Sequence, residues 1–209
     1  MIPPRIVLAT ANPGKVRELG ALVGEWGPIA VATLADVPGV ALPEEGDVSY
    51  EANAAAKAVA VARAAGMPAL ADDSGLEVDA LGGAPGVRSA RWAPDDAARI
   101  ARLLAALANA DDRRARFVCA VALAWPDGPV ETARGEVAGT IARASSGAGG
   151  GFGYDPVFVA TELGRTFAQA SAEEKSRVSH RARAVRALGA RLRDGENCAA
   201  TLQGPGRPC

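Results

Sequence analysis

Two adjacent aspartates, Asp72 and Asp73, stand in the stretch ADDSG, directly after the apolar run PALA. Neighbouring acids are costly to bury unpaired. A metal ion, a helix N-terminus or a turn must receive them. In a strand, successive side chains point to opposite faces, so the two carboxylates do different jobs unless the strand has already ended. Mg²⁺ accepts one or two carboxylates and completes its shell with water and substrate phosphate. One further acid would then be wanted. The loop PEEG offers Glu44 and Glu45, a pair that otherwise reads as solvated surface.

Three other stretches carry chemistry. TANPGK runs from Thr10 through Ala11, Asn12, Pro13 and Gly14 to Lys15, between a strand-like run and a helix-like one. Backbone N–H groups and the positive end of a helix dipole can hold phosphate there, and Lys15 adds a full charge. A plain strand-to-helix turn fits the same residues. GGFGYDPVF places Phe152, Gly153, Tyr154 and Asp155 in a glycine-rich segment. Glycine permits close backbone approach and an aromatic ring offers a stacking face, although a loop entering a strand reads the same way. EKSRVSHRARAVR holds Lys175, Arg181 and the only histidine, His180. It is either a basic helix face or a local site for an anion or a base edge. Asn53 and Lys57 share a helix face at i and i+4.

The elements that must position these residues alternate at first. RIVLAT (Arg5 to Thr10) and IAVATLADV (Ile29 to Val37) read as strands. KVRELGALVGEW and EANAAAKAVAVARAAG read as helices, the second stopped by Gly66. PALADDSGLEVDAL reads as a short strand running into the two aspartates and a turn. LGGAPGVRSARWAP is irregular, and DDAARIARLLAALANA is a helix with acids at its start. Two long strands joined by PDGP follow, then a strand after GFGYDP. The stretch from Ser171 to Asp194 reads as helical, with Ser171 and Glu174 suited to a capping box. From about Gly195 the periodicity ends, and residues 195–209 read as a disordered tail. The pattern predicts an α/β fold, a mixed sheet flanked by helices, with residues 1–194 as one domain.

Composition narrows the function classes. The 209 residues carry a net charge of −1, without the basic excess expected of a protein that grips nucleic acid by its backbone. Three cysteines without a CxxC pair, and one histidine, support neither a disulfide framework nor a zinc site. The N-terminal apolar run of about five residues is too short for a signal segment, and no stretch approaches the roughly 20 residues of a membrane helix. The expectation is a cytoplasmic protein with no membrane or nucleic-acid partner.

Taken together, LATANPGKVREL, EEGDVSYEANAAAKA, ADDSGLEVDALGGAPGVRSAR, GGFGYDPVF and EEKSRVSHRARA resemble the inosine triphosphate pyrophosphatase family over roughly residues 5 to 193. The resemblance implies an elongated mixed sheet, two lobes with a central cleft, and a homodimer. It implies Mg²⁺-dependent hydrolysis of ITP, dITP and XTP to the monophosphate and pyrophosphate. Thr10 to Lys15 match the triphosphate-binding loop. Asp73 matches the proton acceptor and metal-linked aspartate, and a glutamate of the EEG loop the other metal ligand. Glu44 aligns better than Glu45, without settling the choice. Ser74, Phe152, Gly153, Tyr154, Asp155, Lys175, His180 and Arg181 match substrate-binding positions, with Phe152 as the ring stacked on the purine. Ala11 stands where that family commonly has Gly, Tyr50 where it has Phe, and the tail has no counterpart. A related pyrophosphatase of pyrimidine or modified nucleotides, or a nucleotide-binding module without hydrolysis, are the rival readings.

Overall fold

The structure, a computed structural model, describes residues 2–147 and 151–201, with side chains to residue 194. Seven strands form one sheet in the order β2-β1-β3-β4-β5-β6-β7. The first three, β1 (Arg5–Leu8), β2 (Ala30–Thr33) and β3 (Ala69–Val78), run parallel. The antiparallel part follows: β4 (Arg114–Ala124), β5 (Val130–Ile141), β6 (Phe158–Ala160) and β7 (Arg165–Thr166). This is the expected mixed sheet. Among the described residues no helix is long and apolar enough to cross a membrane.

Helix α1 (Pro13–Gly24) starts two residues before the apolar period suggests. Asn12 caps it, its Oδ1 accepting from Gly14 N (2.8 Å) and Lys15 N (3.2 Å), and Pro13 occupies the first turn. Helix α2 (Tyr50–Ala65) is capped by Ser49 and ends at Gly66, whose φ of 62° is the left-handed value glycine adopts freely. Helix α3 (Asp96–Ala106) follows a short 3-10 helix over Gly86–Arg91, within the segment expected to be irregular.

Two expectations need correction. The stretch ADDSG is not a strand end. β3 runs unbroken through both aspartates, because β4 pairs with it from Ala69↔Ala124 to Val78↔Ala115. The C-terminal helical stretch is also two helices, α4 (Ala172–Val178) and α5 (His180–Thr201). Ser179 breaks it with an extended backbone (ψ 153°), and its hydroxyl accepts from Ala182 N at 3.2 Å. Serine favours such caps because its side chain competes with the helical ladder. The Ser171–Glu174 capping box is present in both directions. α5 continues past Gly195 to Thr201, into the segment that reads as tail. Residues 202–209 lie outside the described residues.

Strand alternation divides the core. On one face Ile6, Leu8, Leu70, Val121 and Leu123 pack against α1 and α5, through Leu19, Leu22, Val185 and Leu188. On the other face Val7, Ala69, Ala71, Ala120 and Ala122 pack against the alanine side of α2. Small residues on both surfaces let α2 approach the sheet closely. A third cluster, with Leu76, Phe117, Val137, Phe158 and Phe167, fills the far end beneath α3.

Candidate active site

The alternation that sorts the core also sorts the acids. Leu70 and Asp72 share the face of α1 and α5; Ala71 and Asp73 share the face of α2. Asp72 is wholly buried. Its Oδ2 accepts from Arg181 Nε (3.0 Å) and Nη2 (2.9 Å), and its Oδ1 lies 3.1 Å from Lys15 Nζ. Burial alone would raise its pKa, but Lys15 and Arg181 outweigh it and hold the carboxyl well below the usual range. Asp72 therefore stays an anion that anchors two cations.

Asp73 has different neighbours. Its Oδ1 accepts from the Ser74 N–H at 3.0 Å and its Oδ2 from Asn53 Nδ2 at 2.8 Å. Lys57 Nζ lies 3.8 Å from Oδ1 and donates to Glu45 Oε1 at 2.6 Å. Burial dominates here and raises the Asp73 pKa, against the pull of Lys57 and Asn53. Two carboxylates thus gather around one ammonium, and both line one cavity. The acid brought there is Glu45, not Glu44. Glu44 is exposed and does not line the cavity, because the loop turns its neighbour toward Lys57. Among the described residues no group of three or more His, Cys, Asp or Glu side chains forms a ready-made metal cage.

The same cavity is lined by Asn12, Lys15, Ser74, Phe152, Tyr154, Asp155, Lys175, His180 and Arg181. Most residues singled out in the sequence therefore converge, but their tasks differ. In the N-terminal loop, Thr10 Oγ1 accepts the Asn12 N–H at 3.2 Å, and Asn12 takes the N–H groups of Gly14 and Lys15. An incoming phosphate would compete with the Asn12 side chain for those amides. Lys15 remains the loop's full charge. Ala11 is exposed.

Phe152 rests on the backbone of Gly14. A Cβ there would lie 2.5 Å from the ring, so only glycine leaves room. Lys175 Nζ stands 4.9 Å from the ring centroid and Arg181 Cζ 5.8 Å. Tyr154 is a support: it is buried, and its hydroxyl donates to Ser89 O at 3.1 Å. Asp155 accepts from the Phe152 N–H (2.9 Å) and Lys175 Nζ (2.6 Å), which fixes the loop onto α4. The Gly153 N–H donates to Asp96 Oδ2 at 2.6 Å.

His180 lies flat on Phe117, with ring centroids 4.7 Å apart and planes 10° apart. Burial, then Arg181 and Lys175, depress its pKa well below 6.5, so the imidazole is neutral. Its Nδ1 is buried without a hydrogen-bond partner. Arg181 is nearly committed. Its donors reach Asp72 twice, Ser74 Oγ at 3.0 Å and Glu18 Oε2. Glu18 also meets Lys175 at 2.8 Å. Sequence reading missed Glu18, although it stands three residues after Lys15 and so shares a face of α1. It also missed Phe117 and Ser89, which no local pattern marks.

A sequence model of the Ham1 family matches residues 6–191. The chain is 50% identical over 195 residues to a dITP/XTP pyrophosphatase of Deinococcus deserti, covering 91% of this chain and 90% of the relative. It is 49% identical to a dITP/XTP pyrophosphatase of Thermus thermophilus, covering 91% and 93%. Among solved structures, a HAM1 protein from Coxiella burnetii superposes with a TM-score of 0.80 at 39% identity, covering 92% of this chain and all of that one.

Proposed function

Because the chain belongs to the Ham1 family, we propose that it hydrolyses noncanonical purine nucleoside triphosphates (ITP, dITP and XTP) to the nucleoside monophosphate and pyrophosphate. The observation that carries this reading is one cavity that runs from Lys15 and Asp73 to Phe152 and His180. Phosphate chemistry and a place for a purine lie side by side. The same reading has the enzyme act in the cytoplasm as a homodimer, with residues 1–194 as a single two-lobed domain.

The donor set fits Mg²⁺. Glu45 and Asp73 turn toward one positive charge, Lys57, and such a carboxylate pair is what a hard cation takes beside phosphate and water. Asp73 and Glu45 would hold the ion, which would neutralise charge on the triphosphate oxygens. The chain supplies the rest. Lys15 and the start of α1 bind the triphosphate. Asp73 accepts a proton from the water that attacks the α-phosphorus, and the bond from that phosphorus to the bridging oxygen breaks as pyrophosphate leaves. A carboxylate is a weak base at neutral pH; burial strengthens this one. Most of the rate then comes from positioning and electrostatics.

Base choice falls to His180, with Arg181 beside it. A neutral imidazole donates from one nitrogen, and a 6-keto oxygen can accept. An adenine 6-amino group would face that donor with its own and leave both unpaired. Pyrophosphate release measured with ITP, XTP, dITP, GTP and ATP tests the reading. The expected result is pyrophosphate from the first three at much higher kcat/KM than from GTP or ATP. Orthophosphate as product, or equal rates on all five, would overturn it.

A further inference from the structure

We infer that Asn53 is a positioning residue that locks the Glu45 loop to Asp73 and so sets the separation of the two acids. The inference rests on the proposed function for the meaning of that pair.

One carboxamide makes three hydrogen bonds to two parts of the site. Asn53 Oδ1 accepts from Gly46 N at 2.9 Å, and Nδ2 donates to Gly46 O at 3.0 Å and to Asp73 Oδ2 at 2.8 Å. The orientation of the amide is forced. A Gly46 N–H can only donate, while its carbonyl and the Asp73 carboxylate can only accept. Both amide protons are used, so Asn53 has no spare donor. The side chain is 5% exposed, on the buried face of α2 with Ala54, Lys57, Ala58 and Val61. Gly46 directly follows Glu45, so gripping both backbone groups of Gly46 fixes where the Glu45 side chain starts. Arg91 holds the same carbonyl from outside, with Nη2 at 3.1 Å from Gly46 O and 3.0 Å from Asp47 Oδ1. Lys57, one turn along α2, completes the bracket by reaching both acids. Asn53 differs from Lys57 in being neutral. It adds no net charge between the carboxylates.

Partners that orient metal-binding carboxylates typically matter by about 10–100-fold in affinity or activity. The test compares wild type, Asn53→Ala and Arg91→Ala by two measurements. One is Mn²⁺ binding to the protein without nucleotide, read by electron paramagnetic resonance. The other is the half-saturating Mg²⁺ concentration and the KM for ITP in pyrophosphate release. The expected result for Asn53→Ala is Mn²⁺ binding weakened by about tenfold or more, a matching rise in the Mg²⁺ requirement, and a KM for ITP at saturating Mg²⁺ near the wild-type value. Arg91 is exposed, so Arg91→Ala should fold, and it should move both metal measurements the same way by a smaller amount. Folded Asn53→Ala with wild-type Mn²⁺ binding would overturn the inference. If Asn53→Ala fails to fold, unchanged metal measurements in Arg91→Ala would overturn it. The failure of the proposed function looks different: wild type itself would then release no pyrophosphate from ITP at any Mg²⁺ concentration.

Discussion

Asp72 and Asp73 are neighbours in sequence and lie on opposite faces of the sheet, Asp72 bound to Lys15 and Arg181, Asp73 to Asn53 beside Lys57. The division predicts opposite phenotypes for one chemical change. Asp73→Asn should keep the fold and lower turnover by about 10²–10⁴-fold, the usual worth of a positioned proton acceptor. Asp72→Asn should act on stability, because it removes one of the two carboxylates that neutralise the buried Arg181 guanidinium, Glu18 being the other, and also the partner of Lys15. The loss should approach the roughly 3–5 kcal/mol of a broken buried pair. Chemical denaturation and pyrophosphate release, run on both variants, separate the two. An unstable Asp73→Asn with normal turnover per folded molecule would reverse the assignment.

The glutamate pair gives a second contrast. Glu45 meets Lys57 at 2.6 Å, whereas Glu44 is exposed. Glu45→Gln should raise the Mg²⁺ concentration needed for half-maximal rate by about tenfold or more, the scale seen even when outer-shell partners of a metal are lost. Glu44→Gln should behave as a surface change, with an effect on stability within about 0.5 kcal/mol and an unaltered Mg²⁺ requirement. A Mg²⁺ titration of the two variants decides which acid serves. A larger shift for Glu44→Gln would restore the alignment-based choice.

Phe152 packs on Gly14 and carries two cations near its face. As a platform for the purine it should matter to the base and not to the phosphates. Phe152→Ala should weaken ITP binding by about 1–3 kcal/mol, the worth of one stacked base. Pyrophosphate binding should hold nearly constant. Calorimetric titration with both ligands checks this, and equal weakening of the two would make Phe152 a prop for the N-terminal loop.

What could be read from the sequence was what local pattern fixes. The capping box at Ser171 and Glu174, the stop at Gly66 and the β4–β5 hairpin depend on residues a few positions apart, and each is present. The length of β3 was not legible, because it is set by pairing with the distant β4, which places Asp72 opposite Val121 and Asp73 opposite Ala120 and carries the strand through both aspartates. The choice between Glu44 and Glu45 stayed open in the sequence for a similar reason. Glu45 is turned toward Lys57 in a loop where Asn53 and Arg91 bond to Gly46, and neither contact leaves a mark in the loop's own residues. The break at Ser179 was hidden because the apolar period continues across it. The partners of Arg181, Asp72 and Glu18, come from β3 and α1, so its ion pairs left no mark in its own stretch.

His180 allows a test through pH. Its ring is 4% exposed and stacked on Phe117; burial, with Arg181 and Lys175 nearby, pushes its pKa well below 6.5 against the opposing pull of Asp72. In the unfolded chain the same imidazole titrates at its ordinary value. Below about pH 6.5 the unfolded state therefore binds a proton that the folded state refuses. The stability linked to His180 is fully present above that pH and falls as pH decreases, by up to about 1.4 kcal/mol per pH unit. Asp73 and Asp155, whose pKa values are raised, act with the opposite sign. They are common to wild type and His180→Gln and cancel to first order in the difference. Denaturant unfolding of both proteins between about pH 7.5 and about 5.5 should show wild type losing stability relative to the variant as pH falls. A difference independent of pH would mean that His180 takes up its proton in the folded protein, and a charged imidazole would then stand in the base site.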